Sequence, residues 1–385
     1  MSERLYTPRS MLDALVGFPT VSRDSNLDLI RFVAEYLRGH GVESRLVESD
    51  CGVKANLYAT VGPMVAGGVV LSGHTDVVPV ADQAWTSDPF TVAERGGRLF
   101  GRGTCDMKGF IALALALVPE MGRLEYPIHF ALSYDEEVGC LGAPRLIEAI
   151  CAELPRPRAV IVGEPTEMRV VTAHKSMFIF DTHVLGYEAH SSKQELGVPA
   201  VMVAGRMVNW LAEQQARNRA RAAADCPFDP AYSTLHCGVI HGGTAQNITA
   251  RNCRFVTDIR ALPDEDPAMF FQGLERFARE ELEPEMHRVH PDTGITFDIR
   301  SRVPGFRAAD DEPAVVLAKQ LTGQNDTEAV AYGAEAGQFQ QAGLSVVICG
   351  PGSIDQAHQP DEYISLEQFE RGEAFLRRLI EHLSR

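Results

Sequence analysis

The sequence predicts an α/β protein with an α+β domain inserted into it, and three observations carry that prediction. Strand-like and helix-like segments alternate from residue 8 to about 162, and α/β patterning returns beyond about 311. Between these stretches the order becomes β-α-β-β-α-β, the succession of a ferredoxin-like unit. Acidic and imidazole side chains fall just after apolar strand-like runs, which is where open α/β sheets bind ligands. A chain of 385 residues is long enough for two such domains.

Taken in order, helical patterning is expected over 8–17 and 27–39, with Ser25 or Asn26 capping the second helix. Strand-like runs follow at 55–61 and 69–73. The second contains Val69-Val70-Leu71-Ser72 after Gly67-Gly68, rich in β-branched residues. Asp106 opens an Ala/Leu-rich helix to about 118, an acidic group favourably placed against the helix dipole. Residues 128–134 and 159–162 are strand-like, with a helix from near Pro144 between them. In the middle, strands are expected at 176–185, 234–241, 253–260 and 294–300, and helices at 198–217 and 267–281. The expected division is therefore 1–176 and 292–385 for the α/β domain and 177–291 for the insertion.

Composition excludes several classes. Lys and Arg number 36 against 52 Asp and Glu, a formal charge of −16 that argues against nucleic acid or an anionic membrane as partner. The eight cysteines form no CxxC pair, so neither a zinc finger nor a thioredoxin-like motif is supported. Scattered thiols and a start without an apolar signal core suit the cytoplasm. The longest apolar stretch, Phe110 to Val118, is too short to span a bilayer.

The chemistry sits in five segments. Gly73-His74-Thr75-Asp76 ends a strand, and its two functional side chains leave an extended backbone on the same side. A carboxylate beside an imidazole can fix its tautomer as a metal ligand. Gly101 to Gly109 is a glycine-rich loop delivering Asp106 to a helix start, suited to an anion or simply to a turn. Asp135-Glu136-Glu137 and Gly163-Glu164-Pro165 each follow a strand, and Ala357-His358-Gln359-Pro360-Asp361-Glu362 follows the strand 345–348. Any one of these has an ordinary reading as a cap, a turn or a solvated loop. Two histidines and several carboxylates at separate strand ends are how a shared site is assembled. Nitrogen and oxygen donors without thiolate suit zinc or a similar divalent ion. No Gly-x-Ser-x-Gly elbow occurs, which disfavours a metal-free α/β hydrolase.

These motifs, with Gly-His-Thr-Asp-Val-Val-Pro and Asp-Met-Lys-Gly foremost, resemble the two-metal peptidases and deacylases of the M20 family, over essentially the whole chain. That resemblance implies a zinc-aminopeptidase-like catalytic domain, its mixed sheet flanked by helices, with a ferredoxin-like lid and dimerisation domain. It implies two divalent metal ions, zinc with cobalt or manganese as alternatives, bridged by Asp106. His74 and Glu164 would complete one ion's ligands, Glu137 and His358 the other's. Asp76 would orient His74, and Glu136 would be the general base toward a water between the ions. His190, in Ala189-His190-Ser191-Ser192, resembles a lid histidine that stabilises the oxyanion and in dimeric relatives reaches the partner's site. Asn247, Arg260 and Glu335 match substrate-binding positions. Arg260 also suits a structural ion pair, and Glu335 either a ligand's ammonium or a supporting role. The segments around Glu335 and His358 resemble the family's acetylornithine deacetylases. They imply hydrolysis of N2-acetyl-L-ornithine in arginine biosynthesis by a homodimer. Deacylation of another N-acyl amino acid, desuccinylation of succinyl-diaminopimelate and dipeptide cleavage are the alternative activities, and a non-catalytic metal- or peptide-binding module is the alternative of another class.

Overall fold

The computed structural model describes residues 5–385, and the chain divides into two compact units. The first comprises the residues up to Ala173, Phe306–Glu328 and Ala334–Arg385; the second is His174–Gly305 with Ala329–Gly333. The second unit runs past the expected boundary at 291. Its last strand, from Gly294, pairs antiparallel with Met177–Leu185 from Gly294↔Leu185 to Val303↔Met177 and cannot be separated from that sheet.

The first unit opens with helices α1 (Pro8–Val16) and α2 (Leu27–Gly39). Thr7 caps α1 in a reciprocal capping box with Ser10, and Pro8 stands where its missing N–H costs nothing. Helix α2 buries Leu29, Ile30, Val33 and Leu37, one face at helical spacing. Asn26 precedes it but makes no side-chain cap. Its amide instead donates to Ala55 O and Thr75 Oγ1, each at 2.9 Å, so tertiary bonds override the expected cap. Strands β1 (Ser44–Glu48), β2 (Ala55–Val61), β3 (Val69–His74), β4 (Ala93–Arg95) and β5 (Arg98–Phe100) follow. Next come α3 (Lys108–Ala116), β6 (Ile128–Ser133), α4 (Ala143–Glu153), β7 (Ala159–Pro165) and β8 (Val171–His174). Every residue of α3 is buried, as its apolar composition on all sides requires.

The second unit holds β9 (Met177–Leu185), α5 (Ala200–Ala220), β10 (Thr234–Gly242), β11 (Asn252–Arg260), α6 (Ala268–Phe277), α7 (Glu283–Val289) and β12 (Gly294–Val303). Its antiparallel sheet has the order β10-β11-β9-β12. In sequence rank that is 2-3-1-4, the ferredoxin-like arrangement the β-α-β-β-α-β order implies. Phe178, Phe180 and Phe255 pack under Met207, Leu211 and Leu274 to form its core.

The chain then returns with β13 (Phe306–Arg307), α8 (Pro313–Thr322), β14 (Glu328–Val330), α9 (Ala336–Gln341), β15 (Val346–Gly350), β16 (Tyr363–Ser365) and α10 (Leu366–Leu383). The main sheet has nine strands in the order β1-β2-β6-β3-β7-β15-β8-β13, with β14 beside β8. At its centre β6, β3, β7 and β15 run parallel, while β2 and β8 flank them antiparallel. These central strands are buried end to end, which is why they read as continuous apolar runs. Among the described residues no helix is long and apolar enough to cross a membrane.

Candidate metal centre

The four central parallel strands all end on one side, and the motif residues gather there. His74 is the last residue of β3, and Glu164 is the last but one of β7. Glu136 and Glu137 follow β6, His358 follows β15, and Asp106 precedes α3. Local packing explains the glycine before Glu164. A Cβ at Gly163 would lie 2.1 Å from the Phe110 ring, so only glycine lets β7 lie this close to α3.

Two triads of donor atoms share Asp106. His74, Asp106 and Glu164 form one, and Asp106, Glu137 and His358 the other, the donors of each lying within 4.8 Å of one another. His74 Nε2 is 2.9 Å from Asp106 Oδ1 and 3.9 Å from Glu164 Oε1. His358 Nε2 is 2.9 Å from Glu137 Oε2 and 3.3 Å from Asp106 Oδ2. Glu164 Oε1 and Glu137 Oε1 are buried without a hydrogen-bond partner, a state that carboxylate oxygens rarely keep unless a cation completes them. The residues therefore fit two divalent ions bridged by one aspartate, with nitrogen and oxygen ligands of the zinc, cobalt or manganese type.

The electrostatics agree with that fit. Burial, reinforced by Glu137, Glu335 and Asp106, pushes the Glu136 carboxyl up to about 8 against the pull of His74. Burial and Asp106 push Glu137 up to about 7, and burial with the same aspartate carries Glu164 well above the carboxylate range. Burial alone would lower His74, but Asp106 and Glu164 outweigh it and raise the imidazole. Hydrogen bonds to Asp106 and Glu137 raise His358 to about 10. A crowd of carboxylates that resists ionisation invites positive charge.

Asp76 holds this site together in a different way from that expected. His74 Nδ1 bonds the backbone carbonyl of Asp76 at 2.8 Å, while the nearer carboxylate oxygen is 3.7 Å away. The carboxylate instead accepts the N–H groups of Glu136 and Glu137 at 3.1 and 3.3 Å and the Ser22 hydroxyl at 2.7 Å. Asp76 thus docks the Glu136-Glu137 segment against the end of β3. Sequence reasoning missed two further supports. Cys140 Sγ donates to Glu136 Oε1 at 3.2 Å, and Lys54 Nζ pairs with both Asp135 oxygens at 2.6 and 2.7 Å. Lys54 gives no local signal, being one cation before a strand.

Glu335 is 1% exposed, and Ser72 Oγ donates to it at 3.2 Å. It is buried, not on an open surface. His190, Asn247 and Arg260 belong to the second unit. His190 and Asn247 come side by side there. His190 bridges Ile248, and Ser191 N donates to Asn247 O at 3.0 Å. Both are exposed, and Ser192 donates its N–H to His190 Nδ1 at 3.2 Å. Arg260 Nε donates to both oxygens of Asp258 at 2.9 and 3.0 Å.

Comparison with known proteins decides the family. The model of peptidase family M20/M25/M40 matches residues 70–382. The chain belongs to this family. The family match and the relatives below make it a metal-dependent hydrolase. An acetylornithine deacetylase from Myxococcus xanthus is 37% identical over 393 residues, covering 99% of each chain. One from Photorhabdus laumondii is 34% identical over 379 residues, covering 96% of this chain and 95% of its own. The fold matches an M20 family metallo-carboxypeptidase from Sulfolobus solfataricus with a TM-score of 0.77 at 17% identity, over 98% of this chain and 99% of the other. A tripeptidase from Staphylococcus aureus gives a TM-score of 0.74 at 17% identity, over 99% and 100%.

Proposed function

We propose that this M20-family hydrolase cleaves N2-acetyl-L-ornithine to L-ornithine and acetate, with Glu136 as general base. The observation that carries the substrate is its 37% identity to an acetylornithine deacetylase along 99% of both chains. The reaction places this chain in arginine biosynthesis. Eight free thiols fit the reducing cytoplasm we assign to it.

In this reading His74, Asp106 and Glu164 hold one divalent ion and Asp106, Glu137 and His358 a second. When bound, such ions polarise the acyl carbonyl and acidify water. Glu136 accepts the proton of the attacking water and returns it to the amine nitrogen as the amide C–N bond breaks. A carboxylate that has taken the proton of water is itself the acid that can return it. Asp76 keeps Glu136 in place through its N–H. His190, beside Asn247, stabilises the oxyanion, contributed by the partner subunit of a homodimer. The exposed Val239 and Ile240 on the edge strand β10, each 47% exposed, support self-association of the second unit.

Kinetics on N-acetylornithine, N-acetylmethionine, succinyl-diaminopimelate and dipeptides, after chelation and metal restoration, test the substrate. N-acetylornithine is expected to give the highest kcat/KM, and a preference for any other member of the panel overturns the assignment. Glu136→Gln is expected to lower kcat by about 10²-fold or more while metal content stays unchanged. Retained turnover would remove Glu136 from the mechanism.

A further inference from the structure

We infer that Glu362, paired with Arg102, is a positioning residue for the metal centre, fixing both the loop that delivers Asp106 and the one that delivers His358. The inference rests on the two-ion reading above. Glu362 is 1% exposed and Arg102 is 0% exposed. One carboxylate oxygen, Oε1, accepts three backbone N–H groups: Gly103 at 3.0 Å, Cys105 at 2.9 Å and Asp106 at 3.1 Å. Successive amides converging on one oxygen form an anion-binding nest, here filled by the chain's own carboxylate. The third of these amides belongs to the aspartate shared by the two triads. Gly103 has φ +84, and a Cβ there would meet Val77 at 2.8 Å, so the loop adopts a path that only glycine follows freely.

The other oxygen, Oε2, accepts from Arg102 Nη1 at 2.7 Å. Arg102 then reaches the second loop. Its Nη1 also donates to Gln359 O at 3.3 Å, and its Nη2 to Gln83 Oε1 at 2.5 Å. Gln83 Nε2 in turn donates to the carbonyl of His358 at 2.9 Å. Two ligands 252 positions apart (358 − 106) are thereby tied to one buried ion pair through their main chains. A pair serving packing alone could be replaced by apolar groups of equal volume. This one directs charge-assisted bonds onto the backbone of Asp106 and of Gln359, the neighbour of His358, and ligands must stay within about 0.5 Å of productive geometry.

Glu362→Gln tests the assignment in the full-length protein. The glutamine is isosteric and keeps an acceptor for the nest, but it turns an N–H₂ donor toward the donors of Arg102. A second variant, Arg102→Met with Glu362→Gln, removes both charges together and spares the fold an unpaired buried ion. Metal-free protein, its fold checked by circular dichroism, would be titrated with Zn²⁺ by calorimetry. Wild-type protein is expected to take up two ions. Each variant should stay folded and bind the ion shared by Asp106, Glu137 and His358 about 10–100-fold more weakly. With metal restored, kcat should fall with KM little changed. Folded variants that bind both ions as wild type does would overturn the inference and leave the metal reading standing. Two variants that both fail to fold would assign the pair to structure alone, which also overturns it. Wild-type protein that binds no ion would overturn the metal reading itself, and this inference with it.

Discussion

Glu136 has its main chain and its side chain fixed by different neighbours. Its N–H is taken by Asp76 Oδ1 at 3.1 Å, and its carboxylate oxygen Oε1 by the Cys140 thiol at 3.2 Å. Burial, with Glu136 and Glu335 nearby, raises Cys140 well above the usual thiol range, so the sulfur keeps its proton and remains a donor. In the proposed mechanism the other oxygen of Glu136 serves the attacking water. Removing the thiol should free the carboxylate to rotate without touching any metal ligand. Cys140→Ala is therefore expected to lower kcat about tenfold with KM nearly unchanged, because misplacing a catalytic group is felt in the chemical step. Cys140→Ser, which keeps a donor, should restore most of the rate. Steady-state kinetics at matched metal content checks this, and a change confined to KM would count against it.

At the scale of elements, the strands β3, β6, β7 and β15 are legible in the sequence because each is buried on both faces and so reads as an unbroken apolar run. The candidate ligands His74, Glu137, Glu164 and His358 are legible for the same reason, since each ends or follows such a run, whereas Asp106 is marked only by its glycine-rich loop before α3. Strand β1 leaves no such trace, with no residue of it fully buried, and β4 and β5 have three residues each. Strand β7 continues past 162 through Gly163-Glu164-Pro165, a sequence that would ordinarily end a strand, because Gly350 of β15 registers against Pro165. The supports of the site have no local pattern at all. Lys54 meets Asp135 across 81 positions and Arg102 meets Glu362 across 260, and only tertiary structure brings them together.

The same sheet contains an acid-sensitive point. His129 on β6 is fully buried, its Nδ1 2.9 Å from Thr60 Oγ1, and burial lowers it to about 4. In the unfolded chain it titrates near 6.5, so the unfolded state takes up the proton first as pH falls. Its contribution is complete above about 6.5 and is lost progressively toward pH 4, up to about 3 kcal/mol. His129→Gln should thus gain stability relative to wild type as metal-free protein is acidified over that window. Urea melts at pH 7 and pH 4.5 measure it, and a difference that does not change with pH would assign the acid sensitivity elsewhere.

The whole molecule carries a net charge of −16 and concentrates part of it where water cannot screen it. Asp106, Glu136, Glu164 and Glu335 are buried together, with the Glu137 side chain only 7% exposed beside them. Such a cluster opposes folding unless cations or protons neutralise it. Divalent ions that bind the folded chain alone stabilise it by about 2.7 kcal/mol at a hundredfold excess over Kd. For a chain of 385 residues that is a rise in Tm of about 3 °C. Protons compete for the same atoms. His74 and His358 are both raised above the ordinary imidazole range by their carboxylate partners, and each must lose its proton to become a ligand. The sign follows: metal-induced stabilisation grows as pH rises and shrinks as it falls. Thermal melts of chelated and Zn²⁺-restored protein at pH 5.5 and pH 8 should show a shift at both values and a larger one at pH 8. A larger shift at the lower pH would mean that the stabilising ions bind somewhere other than these imidazoles and carboxylates.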